Sequence, residues 1–223
     1  MEADRRIIRL MAWLGPSFPV GAYAYSHGIE YAVEAGLVHD QDTLATWVRG
    51  ILRFGAARVD ADLYRETWHA TRCGDSERLA AVGALGRAMR GTFEIAAETT
   101  AQGTAFEDTV AAAWNGDGSA DGQPPPVYPV SVATAVARED IPVREGLAAY
   151  LHAVTANLVS AGIRLIPLGQ VAGQRILADL ESDVLQATGE ALGRSLDDIG
   201  SAAVVVDWAS IRHETQYTRL FRS

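Results

Sequence analysis

The most constraining feature of this chain is the spacing of its apolar residues, which recur every three or four positions along most of its 223 residues. That spacing places side chains on one face of an α-helix, whereas a half-buried β-strand requires alternation. Residues 7–14, 44–52 and 147–158 carry the pattern over two or more turns. Residues 204–206 (VVV) form the one segment that could be a strand, and the sequence offers it no partner. The pattern predicts an all-α fold.

Helix-ending and helix-capping residues divide this pattern into roughly eight to ten helices. The triplet Cys73-Gly74-Asp75 and the later Pro167 should each end a helix, since glycine adopts left-handed conformations and proline interrupts helical hydrogen bonding. Asp40 or Asp42 is expected to cap one helix, and Pro142 to lie in the first turn of another. Further helical segments are predicted at 26–35, 60–72, 77–90, 93–114 and 182–193.

Residues 115–126 (NGDGSADGQPPP) form the single low-complexity stretch of the chain. Glycine, aspartate and successive prolines at this density are typical of a mobile surface loop. A domain boundary is the alternative, but each flank looks too small to stand alone. We therefore expect residues 1–223 to form one single-domain helical bundle with flexible termini, in which residues 213–223 are an interaction segment.

Composition excludes several classes of function. All 19 basic residues are arginine, against 28 acidic residues, which gives a net charge of −9. Non-specific nucleic-acid binding needs a basic surface, so no nucleic-acid partner is expected. Without lysine, neither a Schiff base nor a P-loop lysine is available. The single cysteine, Cys73, excludes an internal disulfide framework and a zinc site with several cysteines.

No targeting or membrane-spanning segment is visible in the sequence. Charged residues interrupt the apolar residues of positions 1–14, whereas a signal peptide needs a continuous apolar stretch of about 7–15 residues. No stretch approaches the roughly 18 apolar residues of a membrane span. The expected location is cytoplasmic, with no membrane partner.

The sequence contains no recognisable set of catalytic or metal-binding residues. No two of its five histidines lie three or four positions apart, so no helix face presents a histidine pair. Residues 117–122 echo a calcium loop, but the twelfth position is Tyr128 rather than a bidentate glutamate. Dispersed carboxylates such as Glu30 or Glu94 leave an α-helical enzyme as a weak alternative. We expect no catalytic residue, no metal ligand and no enzymatic activity.

Two segments have instead the composition of binding surfaces. In residues 17–30 (SFPVGAYAYSHGIE), proline and glycine specify the backbone shape while aromatic rings supply large contact areas. For Phe18 alone, burial in a loop between helices is the favoured alternative. Residues 213–223 combine tyrosine, phenylalanine and arginine in a segment too short to form its own core, and tyrosine and arginine are common interface residues.

Three segments resemble the urease accessory protein UreF family. They are residues 18–34 (FPVGAYAYSHGIEYAVE), residues 166–170 (IPLGQ) with 173–175 (GQR), and residues 213–223 (HETQYTRLFRS). The matches occur in the family's order and extend over essentially the whole chain. The resemblance implies an all-helical protein that is not an enzyme and is a homodimer within a larger complex.

The resemblance also implies partners. Members of the family bind the accessory protein UreD, also called UreH, and with it recruit the GTPase UreG to deliver nickel to apo-urease. No cofactor is expected, because the complex handles nickel and the partner binds GTP. The dimer face is expected on the helix of residues 143–158, including Tyr150 and His152. The alternative is a nickel-binding metallochaperone in its own right, with a tertiary ligand site.

The family motifs map onto specific positions. In the family picture, the C-terminal segment packs near the first motif when UreD binds and shapes the surface that UreG meets, which singles out Tyr23 and Arg219. Arg164 and Gln170 lie beside the second motif, residues 166–170 with 173–175, and could line an interface or a nickel path; the alternative is that they are ordinary polar groups at helix ends. The full set of expected partner-binding residues is Phe18, Pro19, Gly21, Tyr23, Tyr25, Ser26, Gly28, Glu30, Tyr217, Arg219, Leu220 and Phe221.

Overall fold

The computed structural model describes residues 1–115 and 126–223, and within these ranges it contains helices and no strand. The helices are α1 (Glu2–Trp13), α2 (Ile29–Glu34), α3 (Gln41–Phe54), α4 (Ala56–Cys73), α5 (Ser76–Ala88), α6 (Phe93–Val110), α7 (Tyr128–Arg138), α8 (Val143–Leu165), α9 (Gln170–Gly193) and α10 (Val204–His213). The all-α, single-domain prediction is confirmed. The loop predicted at 115–126 lies outside the described residues except at its two ends.

Helix α4 is the centre of the bundle and packs against α3, α5, α7, α8 and α9. Its buried face includes Leu63 and Tyr64, both fully buried. Charged residues of α4 are buried as well, and they are paired, since an unpaired buried charge is costly. Asp60 accepts a hydrogen bond of 2.7 Å from Arg90, which follows α5. The central helix therefore joins the bundle through both apolar packing and ion pairs.

Helix α8 is the longest apolar helix of the core. Among residues 1–115 and 126–223, it alone is long and apolar enough to cross a membrane, with a mean hydropathy of 1.3, and half of that window is buried inside the protein. Two glycines bring it close to its neighbours. A Cβ at Gly146 would lie 2.5 Å from the Tyr64 hydroxyl, and one at Gly162 would lie 2.5 Å from a methyl carbon of Leu44. Helix α8 is therefore packed as a core helix.

The predicted helix ends are confirmed where local capping decides them. The Asp40 carboxylate accepts a 2.8 Å hydrogen bond from the Thr43 amide, and Thr43 Oγ1 accepts one of 3.0 Å from the Asp40 amide, which is a capping box. Gly74 ends α4 in the left-handed conformation, with φ +66°. Asp75 then caps α5 by accepting from the Arg78 amide. These residues act within one turn, so their effects are readable from the sequence.

Several sequence expectations are wrong in detail. The segment suggested as a possible strand, residues 204–206, is the first turn of α10, which packs against α2. Valine tolerates a helix when tertiary packing favours one. Helix α2 begins at Ile29 rather than at Ser26, because Gly28 is left-handed. Pro142 is the N-cap of α8, with φ −57° and ψ 139°, instead of lying in its first turn. The segment predicted as a helix over 93–114 is an α-helix only to Val110, followed by a π-helical turn over Ala111–Asn115.

Candidate functional site

The first motif, residues 18–34, reaches α2 through a loop whose turns depend on left-handed residues. Gly21 and Gly28 have φ of +72° and +75°, and His27 has φ of +52°. A Cβ at Gly28 would lie 2.8 Å from the Ser210 amide nitrogen on α10. Glycine is therefore required at this position both by its backbone conformation and by the close approach of another helix. The motif is fixed against α10.

The aromatic residues of the first motif have different environments. The Phe18 ring is buried, with its centroid 5.2 Å from that of Phe106 and 6.1 Å from that of Trp114. Burial, the favoured alternative for Phe18, is what the structure shows. Tyr25 is also buried, whereas the Tyr23 side chain is 71% exposed. Of the three rings, only that of Tyr23 is available at the surface for a large contact.

Three glutamates form the polar centre of the site, here called the glutamate cluster: Glu30 on α2 and Glu94 and Glu98 on α6. All three are buried. The Glu30 carboxylate accepts backbone hydrogen bonds of 2.6 Å from Leu220 and 2.8 Å from Phe221. Charged acceptors form the stronger class of hydrogen bond, particularly away from water. Glu30 therefore holds the backbone of the C-terminal segment, residues 213–223.

His213, the last residue of α10, lies between two members of the glutamate cluster. Its Nδ1 is 2.7 Å from Glu94 and its Nε2 is 3.1 Å from Glu30, and the side chain has no exposed surface. Each ring nitrogen therefore lies within hydrogen-bonding distance of a buried carboxylate. The Arg219 guanidinium lies 2.8 Å from the other oxygen of Glu94. His213 and Arg219 belong to the C-terminal segment, and the two carboxylates belong to the bundle.

Glu98 joins the first motif to the end of the C-terminal segment. It accepts hydrogen bonds of 2.9 Å from His27 Nε2, 2.8 Å from Gln102 and 2.9 Å from the Ser223 hydroxyl. Burial by itself would lower the pKa of His27. The attraction and hydrogen bond of Glu98 oppose that effect and leave the pKa of His27 raised above its usual range.

Backbone contacts complete the attachment of the C-terminal segment. The Arg222 amide donates to the Ala24 carbonyl at 2.8 Å, and the Ser26 amide donates to the Ser223 carbonyl at 2.8 Å. The Ser26 hydroxyl also donates to that carbonyl. The Phe221 side chain and the whole of Ser223 are buried. The C-terminal segment thus buries these residues against the bundle and does not form a core of its own.

The structure leaves a set of apolar side chains on the surface around this attachment. Tyr23 is 71% exposed, Tyr217 is fully exposed and Leu220 is 66% exposed. Pro19 is exposed as well. Helix α10 adds an outward-facing stripe at helical spacing. The stripe consists of Val204, Val205, Trp208 and Ile211. Large exposed apolar groups of this kind are typical of contact surfaces.

The two residues expected beside the second motif, Arg164 and Gln170, lie in different places. Arg164, in the last turn of α8, donates a 2.7 Å hydrogen bond to the Tyr23 carbonyl, and its guanidinium lies 4.4 Å from the centroid of the Phe221 ring. Gln170 is the exposed first residue of α9. Arg164 therefore belongs to the contact between the first motif and the C-terminal segment, and Gln170 has no described contact with that site.

Sequence reasoning missed how the site is held together. It named Glu30 within the first motif and Glu94 only as a dispersed carboxylate, and it gave no role to Glu98, His27 or His213. The available signal was the spacing of Glu94 and Glu98, which puts two carboxylates one turn apart on an alanine-rich helix. Carboxylates on a face expected to be buried need partners. Those partners lie more than seventy residues away along the chain.

Within residues 1–115 and 126–223, no group of three or more histidine, cysteine, aspartate or glutamate side chains is arranged to hold a metal ion. The carboxylates of the glutamate cluster instead accept hydrogen bonds from donors of the chain itself. Cys73 is exposed at the end of α4. The arrangement pairs the buried carboxylates with Arg219, His213 and backbone amides of the C-terminal segment.

A cavity of about 670 Å³ opens between α1, the first motif and α8. Its walls are mainly apolar, and its floor includes Asp60, Arg90 and Tyr150. The Tyr150 hydroxyl donates to Asp60 at 2.8 Å, and burial raises the pKa of Tyr150. Tyr150 is fully buried, so it cannot itself be a contact of the dimer face expected there, whereas His152 on the same helix is exposed.

These features define an all-α protein whose C-terminal segment is held against the helical bundle by buried carboxylates. The chain belongs to the UreF family of urease accessory proteins, whose family model matches residues 38–181. The resemblance drawn from the sequence is confirmed.

Relatives extend the match to the first motif and the C-terminal segment. The urease accessory protein UreF of Granulibacter bethesdensis is 49% identical over 99% of this chain and 95% of its own length. The protein of that name from Bradyrhizobium diazoefficiens is 46% identical, covering 97% and 91%. That from Rhodopseudomonas palustris strain HaA2 is 46% identical, covering 100% and 95%.

Proposed function

We propose that this protein is a non-catalytic scaffold of urease maturation. It binds UreD (also called UreH), and the pair recruits and regulates the GTPase UreG for nickel insertion into apo-urease. Nickel is the cargo of the complex and GTP is the ligand of UreG, so this chain needs no cofactor of its own. The work is assigned to the cytoplasm, and the scaffold acts as a homodimer.

The observation that carries this proposal is the surface formed where the C-terminal segment meets the first motif. Tyr23, Tyr217 and Leu220 project outward there, on a backbone that the glutamate cluster fixes. Contact residues that are held rigidly before binding lose less conformational entropy when a partner arrives. Tyrosine is also among the residues that contribute most to protein interfaces. A fixed aromatic surface of this kind supports a docking role better than a catalytic one.

Arg219 links that surface to the bundle. Its guanidinium reaches the buried Glu94, while its own side chain is 41% exposed. Loss of the arginine removes the guanidinium from one oxygen of the buried Glu94, whose other oxygen contacts His213, and releases the part of the segment that carries Tyr217 and Leu220. The bundle does not depend on this contact, because the core helices pack elsewhere. The defect should therefore appear in partner capture and not in folding.

Co-expression with UreD and UreG followed by affinity purification tests the proposal. We expect wild-type protein to retain both partners, and Tyr23→Ala and Arg219→Ala to lose UreG by tenfold or more, which corresponds to about 1.4 kcal/mol. Arg222→Ala is the matched control, since it removes an exposed arginine from the same segment. Retention of UreG by Arg219→Ala at the wild-type level would contradict the assignment of this surface.

Equilibrium dialysis with nickel separates the scaffold from a metallochaperone acting by itself. The scaffold predicts no stoichiometric sub-micromolar binding by the isolated protein. Tight binding of one nickel ion per chain would favour the metallochaperone instead.

A further inference from the structure

Arg164 lies where α8, the first motif and the C-terminal segment meet. Its Nη2 donates a 2.7 Å hydrogen bond to the Tyr23 carbonyl, and its Nε donates one of 3.2 Å to the Ser160 carbonyl of its own helix. The carbon of its guanidinium lies 4.4 Å from the centroid of the Phe221 ring. That distance is well within the range of a cation–π contact.

The ring of Phe221 is therefore held by Arg164, while its backbone is held by Glu30. The side chain is 4% exposed, and its amide donates to Glu30 at 2.8 Å. Arg164 and Glu30 come from different helices, α8 and α2. The Glu30 carboxylate thus holds the main chain of Phe221, and the Arg164 guanidinium holds its ring.

We infer that Arg164 is a positioning residue: it fixes the C-terminal segment against the first motif and so sets the distance between Tyr23 and Leu220 on the docking surface. The role rests on the proposed function, since it concerns the surface that partners meet. It differs from lining an interface or a path, because the groups that Arg164 contacts belong to the chain itself. Its two described partners outside α8 lie in the segments it joins.

The geometry requires an arginine. A planar guanidinium stacks on an aromatic face and directs its nitrogens sideways, so one group reaches both the Phe221 ring and the Tyr23 carbonyl. A lysine ammonium is a compact charge and can satisfy one of those partners at a time. We therefore expect Arg164→Lys to keep part of the effect and Arg164→Ala to lose all of it.

Hydrogen exchange on the isolated protein is the direct test. The amides of Leu220, Phe221 and Arg222 are bonded to Glu30 and Ala24, so they exchange only when the segment opens. In Arg164→Ala we expect their exchange to accelerate by about fivefold to tenfold, which is the scale of a partly desolvated cation–π contact together with one hydrogen bond. The exchange rates of these amides in Arg164→Lys should lie between those of Arg164→Ala and those of the wild type. The amides of α4 and the thermal midpoint should stay within error of wild type.

A double-mutant cycle shows whether Phe221 is the group through which Arg164 acts. Phe221→Leu keeps an apolar side chain at that position and removes the ring. In that background Arg164→Ala should accelerate exchange by much less than it does in wild type, since only the bond to Tyr23 is lost. Equal effects in both backgrounds would overturn the ring contact. Arg175→Ala, which removes an exposed arginine of α9, is the control and should leave the segment unchanged.

Partner capture then connects positioning to function. If wild-type protein captures UreD and UreG, Arg164→Ala should capture several-fold less UreG, with partial rescue by Arg164→Lys. Equal capture by wild type and Arg164→Ala would overturn the inference. If wild-type protein captures neither partner, the proposed function fails, and the exchange experiment still decides whether Arg164 positions the segment. Amide exchange at the wild-type rate in Arg164→Ala would overturn the inference, whatever the result of the capture experiment.

Discussion

At the scale of single residues, His27 makes the stability of the protein depend on pH. Burial lowers its pKa, but the attraction and hydrogen bond of Glu98 together with the attraction of Asp60 outweigh burial and leave the pKa above its usual range. The protonated form is therefore favoured in the folded state, and this contribution is complete below the unfolded pKa of about 6.5. It is lost as the pH rises through the raised pKa of the folded state. We expect the free energy of unfolding in urea to fall as the pH rises above about 6.5, and Glu98→Gln to flatten that fall.

The control for this prediction is His152→Gln, which removes an exposed histidine of α8. It should keep the pH dependence of wild type. A Glu98→Gln protein with an undiminished slope would show that the His27–Glu98 pair does not control stability in this range.

The residues of the site were predictable to different degrees. The sequence motifs identified Glu30, Tyr23 and Arg219, because local composition and family resemblance mark them directly. The sequence did not reveal that His213 bridges two glutamates, since its partners lie 119 and 183 positions away. Hydrogen bonds over such separations follow from packing alone.

At the scale of helices, Gly28 sets the distance between the first motif and α10. Its φ of +75° costs another residue about 1–2 kcal/mol, and an added Cβ would also lie 2.8 Å from the Ser210 nitrogen. We expect Gly28→Ala to lower the free energy of unfolding by roughly 2–4 kcal/mol, since strain and overpacking add. Chemical denaturation measures this loss, and exchange of the C-terminal amides should accelerate with it.

Gly36→Ala is the matched control. Gly36 has φ +72°, but an added Cβ there would meet nothing within 4 Å. Only the backbone strain of about 1–2 kcal/mol should appear, with no release of the C-terminal segment. Equal losses in the two variants would mean that the contact with α10 contributes nothing.

We expect the exposed apolar stripe of helix α10 to contact UreD in the proposed complex, since large exposed apolar groups are typical of contact surfaces. Ile211 is 52% exposed and lies on the outward side of the helix. We expect Ile211→Arg to reduce the UreD that co-purifies by at least tenfold, because a charge in the apolar centre of an interface must be desolvated. Leu185→Arg on α9, which is 54% exposed, is the control. If both variants behave alike, the stripe is not the contact.

Helices were predictable where local chemistry decides them. The capping box at Asp40 and the glycine after Cys73 act within a single turn, so the ends of α3 and α4 follow from the sequence. Residues 204–206 were misjudged because three valines favour a strand locally. Their helical state depends on packing of α10 against α2 and α6, which no local pattern contains.

At the scale of the whole molecule, periodicity predicted the fold class but gave no indication of the cavity. The cavity lies between α1, the first motif and α8, and the buried rings of Trp13 and Phe18 form part of its lining. Beside it, α1 leaves Ile7, Ile8 and Met11 more than half exposed. A cavity and an apolar helix face side by side form one apolar surface of the kind that a second copy of the chain would cover in the proposed homodimer.

Ala153 tests this homodimer, since it lines the cavity on α8 and is partly exposed. We expect Ala153→Arg to fill the groove with a charged side chain and to weaken self-association by a hundredfold or more, about 2.7 kcal/mol. Light scattering coupled to size-exclusion chromatography should show the mass of a dimer for wild type and of a monomer for the variant, with unchanged helical circular dichroism. Ala178→Arg makes the same change on the exposed side of α9 and should stay dimeric. A dimeric Ala153→Arg protein would show that the self-association surface lies outside this groove.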